Sequence, residues 1–227
     1  MLVIIEDVLT AQELATARGW LADSIWSSGQ ITAGPQAALS KNNQQLPEDA
    51  PHLPALRQMV LNALNRNALF FTAALPLKIL PPFFNRYTGA SNVYGFHTDN
   101  AMRRQSDGNG YVRADVSATL FLSEPEEYEG GILTIADTFG DHGIKLKAGR
   151  MVVYPSSSIH EVSAVTSGER LACFMFLQSM VRDPGQRRLL YDMDMALLQL
   201  RQTVGDNAAV VHLTGTYHNL LRRWAES

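Results

Sequence analysis

The chain has 227 residues, 46% of them hydrophobic, which suits one sizeable domain that buries a full core without a metal or a disulfide to staple it. Its net charge is −3 with both signs dispersed and no long lysine or arginine run, so bulk electrostatics point away from nucleic acid and anionic membranes. The single cysteine, Cys173, excludes an intrachain disulfide framework and, within the apolar run Leu171 to Leu177, is expected to be a small buried hydrophobe.

In chain order, Ile4-Ile5 reads as a short edge strand. The apolar start meets Glu6-Asp7 too soon, and lacks the basic leader, for a secretory signal. Thr10-x-x-Glu13 is a capping box opening a helix, with Leu14, Ala17, Leu21 and Ile25 on one face. Residues 27–50 are rich in Ser, Gly, Asn, Gln and Pro and read as a long irregular connection, a length usually reserved for function or disorder. A second helix follows, marked by Leu53, Leu56, Val60 and Leu64. The apolar stretch from Leu69 to Phe84 is broken by Pro76, Lys78, Pro81 and Pro82, which rules against a membrane helix and favours a soluble, cytoplasmic protein.

From about Leu77 the pattern changes to short segments separated by turn residues, the signature of antiparallel β structure. Expected strands run over 83–87, 93–99, 115–122, 132–135, 144–147, 150–154, 160–165 and 170–178, which fit a jelly roll, or double-stranded β-helix. After residue 182 the period returns to helical. Leu189, Leu190, Met193, Leu197 and Leu200 form one stripe, and Val210, Thr214, Tyr217, Leu221 and Trp224 form another behind an Asp206 cap. The expected organisation is a supporting region at 1–77, a β core at 78–178 and a helical extension at 179–227, whose stripes pack on the core and offer a homodimer surface.

Within the β core, His97-Thr98-Asp99 is answered by His160 and Arg170. On a strand, residues i and i+2 share a side, so His97 and Asp99 point together and Thr98 points away. Two imidazoles and one carboxylate are the set that holds non-haem Fe(II) by one face and leaves the other open for chemistry, as in oxygenases. A lone strand histidine is more often a hydrogen-bonded core residue, and Arg170 alone could close a structural salt bridge; the matched set argues against both. An arginine cannot be deprotonated and its planar fork suits a carboxylate, so Arg170 is fitted to hold a fixed anion.

Three segments carry a family resemblance. They are Asn85 to Asp99, with Tyr94-Gly95 ahead of His97; Ser117 to Leu133, with Glu129-Gly130-Gly131; and Pro155 to His160 with Arg170 beyond. These resemble the Fe(II)/2-oxoglutarate dioxygenases of the prolyl and lysyl hydroxylase type over residues 78–178. The flanks, with Thr32-Ala33-Gly34, Lys41-Asn42-Asn43 and the terminal run from Tyr217 to Arg222, resemble the bacterial PKHD-type hydroxylases. The resemblance implies His97, Asp99 and His160 on the iron and Arg170 on the remote carboxylate of 2-oxoglutarate. Tyr87, ten places before the first ligand, is implied as a further cosubstrate contact. The implied reaction consumes dioxygen and 2-oxoglutarate, releases succinate and carbon dioxide, and hydroxylates an unidentified prolyl, lysyl or small-molecule substrate, with ascorbate as an additional cofactor.

Two other readings stay open at this level: a non-catalytic jelly-roll module sensing metal or 2-oxoglutarate, and a cupin-type metal hydrolase or isomerase, for which Glu161 is the nearest acid-base residue. The remaining histidines, His52, His142, His212 and His218, lack partner spacing, and the acidic run Glu124 to Glu129 reads as a solvated turn. Arg103-Arg104 and Ser106 to Gly110 form a candidate flap beside the first two ligands. Lys41 to Gln45 and Met102 to Arg113 are candidate pocket walls.

Overall fold

A computed structural model describes residues 1–32, 34–105, 108 and 110–226. The chain runs β1 (Val3–Ile5), α1 (Ala11–Ala22), β2 (Ser27–Ser28), α2 (Pro35–Ser40), β3 (Lys41–Asn42), β4 (Gln44–Gln45), α3 (Leu53–Asn65), α4 (Ala68–Ala74), β5 (Pro76–Ile79), β6 (Phe83–Tyr87) and β7 (Val93–His97). It continues through β8 (Met102–Arg104), β9 (Tyr111–Arg113), β10 (Val116–Phe121), β11 (Tyr128–Gly130), β12 (Leu133–Ile135), β13 (His142–Ile144), β14 (Met151–Pro155), β15 (His160–Val162), β16 (Val165–Gly168) and β17 (Arg170–Ser179), and closes with α5 (Pro184–Val204) and α6 (Ala208–Trp224).

Two antiparallel sheets make the jelly roll. The larger runs β1-β14-β10-β17-β6-β4-β2, with β5 also on β17, and the smaller runs β13-β12-β15-β7-β3. Every residue of β10 is buried, because the strand is covered on both faces. Val116, Ala118 and Leu120 join Leu171, Cys173, Met175 and Leu177 of β17 in a core shared with Leu53, Leu56, Val60 and Leu64 of α3 and Phe70 of α4. The opposite faces of the two sheets meet through Tyr87, Phe121, Val152 and Tyr154 from one side and Leu133, Ile135, Ile144 and Val162 from the other. Strand alternation thus splits each central strand between a helix-facing layer and an inner one. The C-terminal helices form a separate cluster, with Leu190, Leu197, Val210 and Tyr217 buried around Leu75 and Val181.

Several expectations are corrected. The Thr10–Glu13 capping box is present, but α1 ends at Ala22, so Ile25 falls outside it and is 85% exposed. Residues 27–50 are not one irregular connection: β3 extends the smaller sheet and β2 and β4 extend the larger one. Strands of two residues are too short to show a period. The strand expected at 144–147 lies earlier, at His142–Ile144, and 160–165 divides into β15 and the start of β16. Strand β7 stops at His97, two residues short of Asp99. The cap of α6 is Asn207, whose side chain accepts from Val210 N, while Asp206 pairs with Arg201 at 3.1 Å. Of the α5 stripe, Leu190 and Leu197 are buried whereas Leu189 and Leu200 are exposed. The flap segment is the β8–β9 hairpin, with Ser106, Asp107 and Asn109 of its turn, like Ala33, outside the described residues.

The Gly130-Gly131 pair is a backbone requirement. Both have positive φ, and a Cβ on Gly131 would come within 2.8 to 3.0 Å of the Tyr128 ring, Val165 and the Arg170 side chain. Gly131→Ala is therefore expected to destabilise the fold by about 1–3 kcal/mol through the left-handed backbone alone, and to displace Arg170 besides. Denaturant midpoints checked against wild type test the first effect.

Candidate active site

Strands β7 and β15 pair antiparallel with His97 directly opposite His160. Opposed residues of such a pair carry Cβ atoms about 4.5–5.5 Å apart on one face, so a single register brings both imidazoles together. Their ring centres lie 4.2 Å apart. Asp99 arrives differently, from the loop beyond β7. The Ser117 hydroxyl, on β10 of the facing sheet, donates to its Oδ2 at 2.6 Å and lies 2.7 Å from the Ser156 hydroxyl. One ligand atom from each of His97, Asp99 and His160 lies within 4.8 Å of the others. Because the strand has ended, alternation no longer turns Thr98 away, and Thr98 also lines the cavity.

Hydrogen bonds orient both rings. His97 Nδ1 lies 2.8 Å from the Gly95 carbonyl and His160 Nδ1 lies 3.0 Å from the Ser158 carbonyl. A carbonyl only accepts, so each Nδ1 carries the proton and each Nε2 is left as a lone-pair donor, the arrangement typical of metal-binding histidines. Tyr94 stacks on His97 with ring centres 3.6 Å apart. Burial, reinforced by His160 and Lys41 and opposed by the Gly95 bond and Asp99, pushes the His97 imidazole down to about 4. The ring is thus neutral and ready to ligate at neutral pH.

That depression has a pH signature. Between the ordinary value of 6.5 and about 4, unfolded His97 binds a proton and folded His97 does not, so the unfolded state gains as pH falls. Metal-free protein is expected to lose stability across that window and to show no contribution from His97 above it. Denaturation midpoints of wild type and His97→Gln from pH 4 to 8 would check this.

The triad opens on a cavity, continuous with solvent, lined by Arg170, Tyr87, Tyr154, Asn85, Lys41 and Arg103 among others. Arg170 begins β17, opposite Tyr87 of β6, and is 1% exposed. Its guanidinium carbon sits 5.2 Å from the Tyr87 ring centre and 5.1 Å from that of Phe121. Aromatic faces help a buried cation, but among the described residues Nε and both terminal nitrogens have no hydrogen-bond partner of good geometry. An unpaired buried guanidinium costs several kcal/mol as it stands and fits an incoming carboxylate. The Tyr128 hydroxyl is also buried; burial pushes this phenol up and the neighbouring Arg170 guanidinium pulls it back. Burial likewise pushes the Tyr87 phenol up, against Arg170.

All five residues singled out from the sequence therefore meet in one cavity. Sequence reasoning missed Ser117 and Tyr128. Ser117 had a signal, since Ser117 and Thr119 put polar groups on one face of an otherwise apolar strand. Tyr128 was masked by its acidic neighbours, though its ring is buried. Glu161 does not line the cavity. No helix among the described residues is long and apolar enough to cross a membrane.

Residues 82–178 match the 2OG-Fe(II) oxygenase superfamily and residues 184–226 match the PKHD-type hydroxylase C-terminal domain. By fold and candidate site this is a 2-oxoglutarate- and Fe(II)-dependent oxygenase. Among solved structures, a Trichoplax adhaerens prolyl hydroxylase in complex with a hypoxia inducible factor peptide fragment is similar at TM-score 0.55 and 16% identity, over 83% of this chain and 86% of that one. A Pseudomonas putida prolyl-4-hydroxylase is similar at TM-score 0.50 and 22% identity, over 78% and 92%. In sequence, a PKHD-type hydroxylase of Azoarcus sp. (strain BH72) is 73% identical across the full length of both chains. The chain belongs to the PKHD-type hydroxylase family. Its cofactor is Fe(II) and its cosubstrate 2-oxoglutarate.

Proposed function

We propose that His97, Asp99 and His160 hold the Fe(II), that Arg170 pairs with the remote carboxylate of 2-oxoglutarate, and that Tyr87 flanks that carboxylate. The observation that carries this reading is the buried Arg170 guanidinium, without an acceptor of good geometry among the described residues, lining the same cavity as the triad. Three protein ligands leave three positions of a six-coordinate iron, enough for a chelating cosubstrate and dioxygen. Bound there, iron and 2-oxoglutarate supply dioxygen activation coupled to decarboxylation, ending in hydroxyl transfer to a C–H bond.

The chain's own residues position and shield. The Gly95 and Ser158 carbonyls fix the two imidazoles, Ser117 holds Asp99, Tyr94 stacks on His97 and Tyr154 packs edge-on against His160. The substrate reading is a prolyl- or lysyl-like peptidyl group or a small molecule, supported by relatives named as hydroxylases. Exposed Leu189, Leu198 and Val211 on α5 and α6 support a homodimer through these helices, and the lone buried Cys173 supports a reducing, cytoplasmic setting.

The direct test is anaerobic loading with Fe(II) and 2-oxoglutarate, followed by admission of dioxygen. A weak visible metal-to-ligand charge-transfer band and then succinate are expected; bound metal with neither would overturn the reading. Ser117→Ala is expected to weaken metal affinity by about 10–100-fold, the usual cost of losing an outer-shell partner. Titration of the variant with Fe(II) under nitrogen checks it.

A further inference from the structure

Arg170 has a neighbour to which the reading above gives no task. Tyr128 opens β11 and pairs with Gly168 of β16, two residues before Arg170 begins β17, so the backbone brings phenol and guanidinium together. Both lean on Gly131. A Cβ built there would stand 2.8 Å from Tyr128 Cε2, the ring carbon beside the one that carries the hydroxyl, and 3.0 Å from Arg170 Cδ. Tyr128 is 3% exposed and its hydroxyl is buried. Burial pushes the phenol up, while the Arg170 charge and then its hydrogen-bonding contact with the phenol pull it down.

Packing alone would be served by a phenylalanine at this position. A buried hydroxyl costs free energy unless it is hydrogen-bonded, and the guanidinium already faces one apolar ring, that of Phe121, whose centre lies 5.1 Å away. The Tyr128 ring is also held independently of Arg170: Lys145 Nζ lies 4.0 Å from its centre and donates to the Tyr128 carbonyl at 2.7 Å. Held at its backbone, its face and its Gly131 edge, the ring presents the hydroxyl as a fixed acceptor. Arg170 lines the cavity, and Tyr128 is not among the described residues that do, so the phenol reaches the cosubstrate pocket through the guanidinium.

An arginine side chain carries considerable rotamer entropy, and fixing it beforehand in its bound orientation lowers the cost of binding. We propose that Tyr128 is a positioning residue for Arg170: its hydroxyl accepts a hydrogen bond from the guanidinium and holds the planar fork toward the cavity, so that the pocket selects a 2-oxo acid with a second, remote carboxylate. This rests on the iron and 2-oxoglutarate reading above. Tyr87 and Phe121 then flank a fork whose direction is set by the phenol.

The test compares 2-oxoglutarate with 2-oxopentanoate on full-length protein loaded anaerobically with Fe(II). The second acid has the same chain length and the same chelating head, with a methyl group in place of the remote carboxylate. Dissociation constants are read from the charge-transfer band, and the wild type is expected to bind 2-oxoglutarate more tightly. Tyr128→Phe is expected to weaken 2-oxoglutarate roughly three- to tenfold, the scale of one hydrogen bond, and to leave the affinities for 2-oxopentanoate and Fe(II) unchanged. In an Arg170→Met background the same substitution should change neither acid, because no guanidinium remains to be positioned. Equal weakening of both acids, no weakening of 2-oxoglutarate, or a loss that persists without Arg170 overturns the proposal. A wild type that forms no band, or that binds the two acids equally, overturns the parent reading instead.

Discussion

His97→Ala is expected to abolish Fe(II) retention and succinate formation while leaving the fold in place. Removing the imidazole leaves two of the three candidate ligands, and the loss of activity should exceed the 10–100-fold typical of an outer-shell change. The structural cost is modest, because His97 is only partly buried and its chief packing partner is the Tyr94 ring, a stacking contact worth about 0.5–1.5 kcal/mol. Metal content after anaerobic dialysis, succinate yield and the denaturation midpoint would be measured together. Turnover retained with bound iron would remove His97 from the metal site.

Arg170→Met should separate binding from stability in an unusual direction. The variant is expected to lose roughly ten- to hundredfold in 2-oxoglutarate affinity, corresponding to about 1.5–3 kcal/mol for a charge-assisted pair, with Fe(II) binding spared. Without cosubstrate the same change should not destabilise the protein. It replaces a buried guanidinium that has no hydrogen-bond partner of good geometry among the described residues with an apolar chain of similar reach, and such replacements are often neutral or stabilising. Thermal unfolding with and without 2-oxoglutarate checks both halves: the wild type should be stabilised by the cosubstrate and the variant much less. A change in cosubstrate affinity of less than twofold would refute the pairing.

How much of this was legible in the sequence follows from which features have a period and which depend on distant partners. The helix starting after Thr10 and the one carrying Leu53, Leu56, Val60 and Leu64 were legible because capping and a 3.6-residue stripe are local. The strands through His97 and His160 were legible as short local runs between turn residues, although both were expected to run further than they do. Strands β2, β3 and β4 were not, since two residues carry no alternation; β3 and β4 pair with β7 and β6, forty or more residues away, and β2 pairs with β4. At the site, chemistry pointed to His97, Asp99, His160 and Arg170, and the family resemblance added Tyr87. The hydroxyl that holds Asp99 belongs to Ser117 on the opposing sheet, a contact only the assembled roll creates.

Strand β17 carries Arg170, Phe174 and Phe176 on its inner face, while Leu171, Cys173, Met175 and Leu177 join the helix-packed layer. A period of two thus divides labour within ten residues, keeping the scaffold on one set of positions and the chemistry on the other. Inward positions are free to drift toward a new substrate without loosening the helices behind them. A one-residue insertion would exchange the two sets and ruin both, whereas a paired insertion would keep the parity and leave each set on its own face.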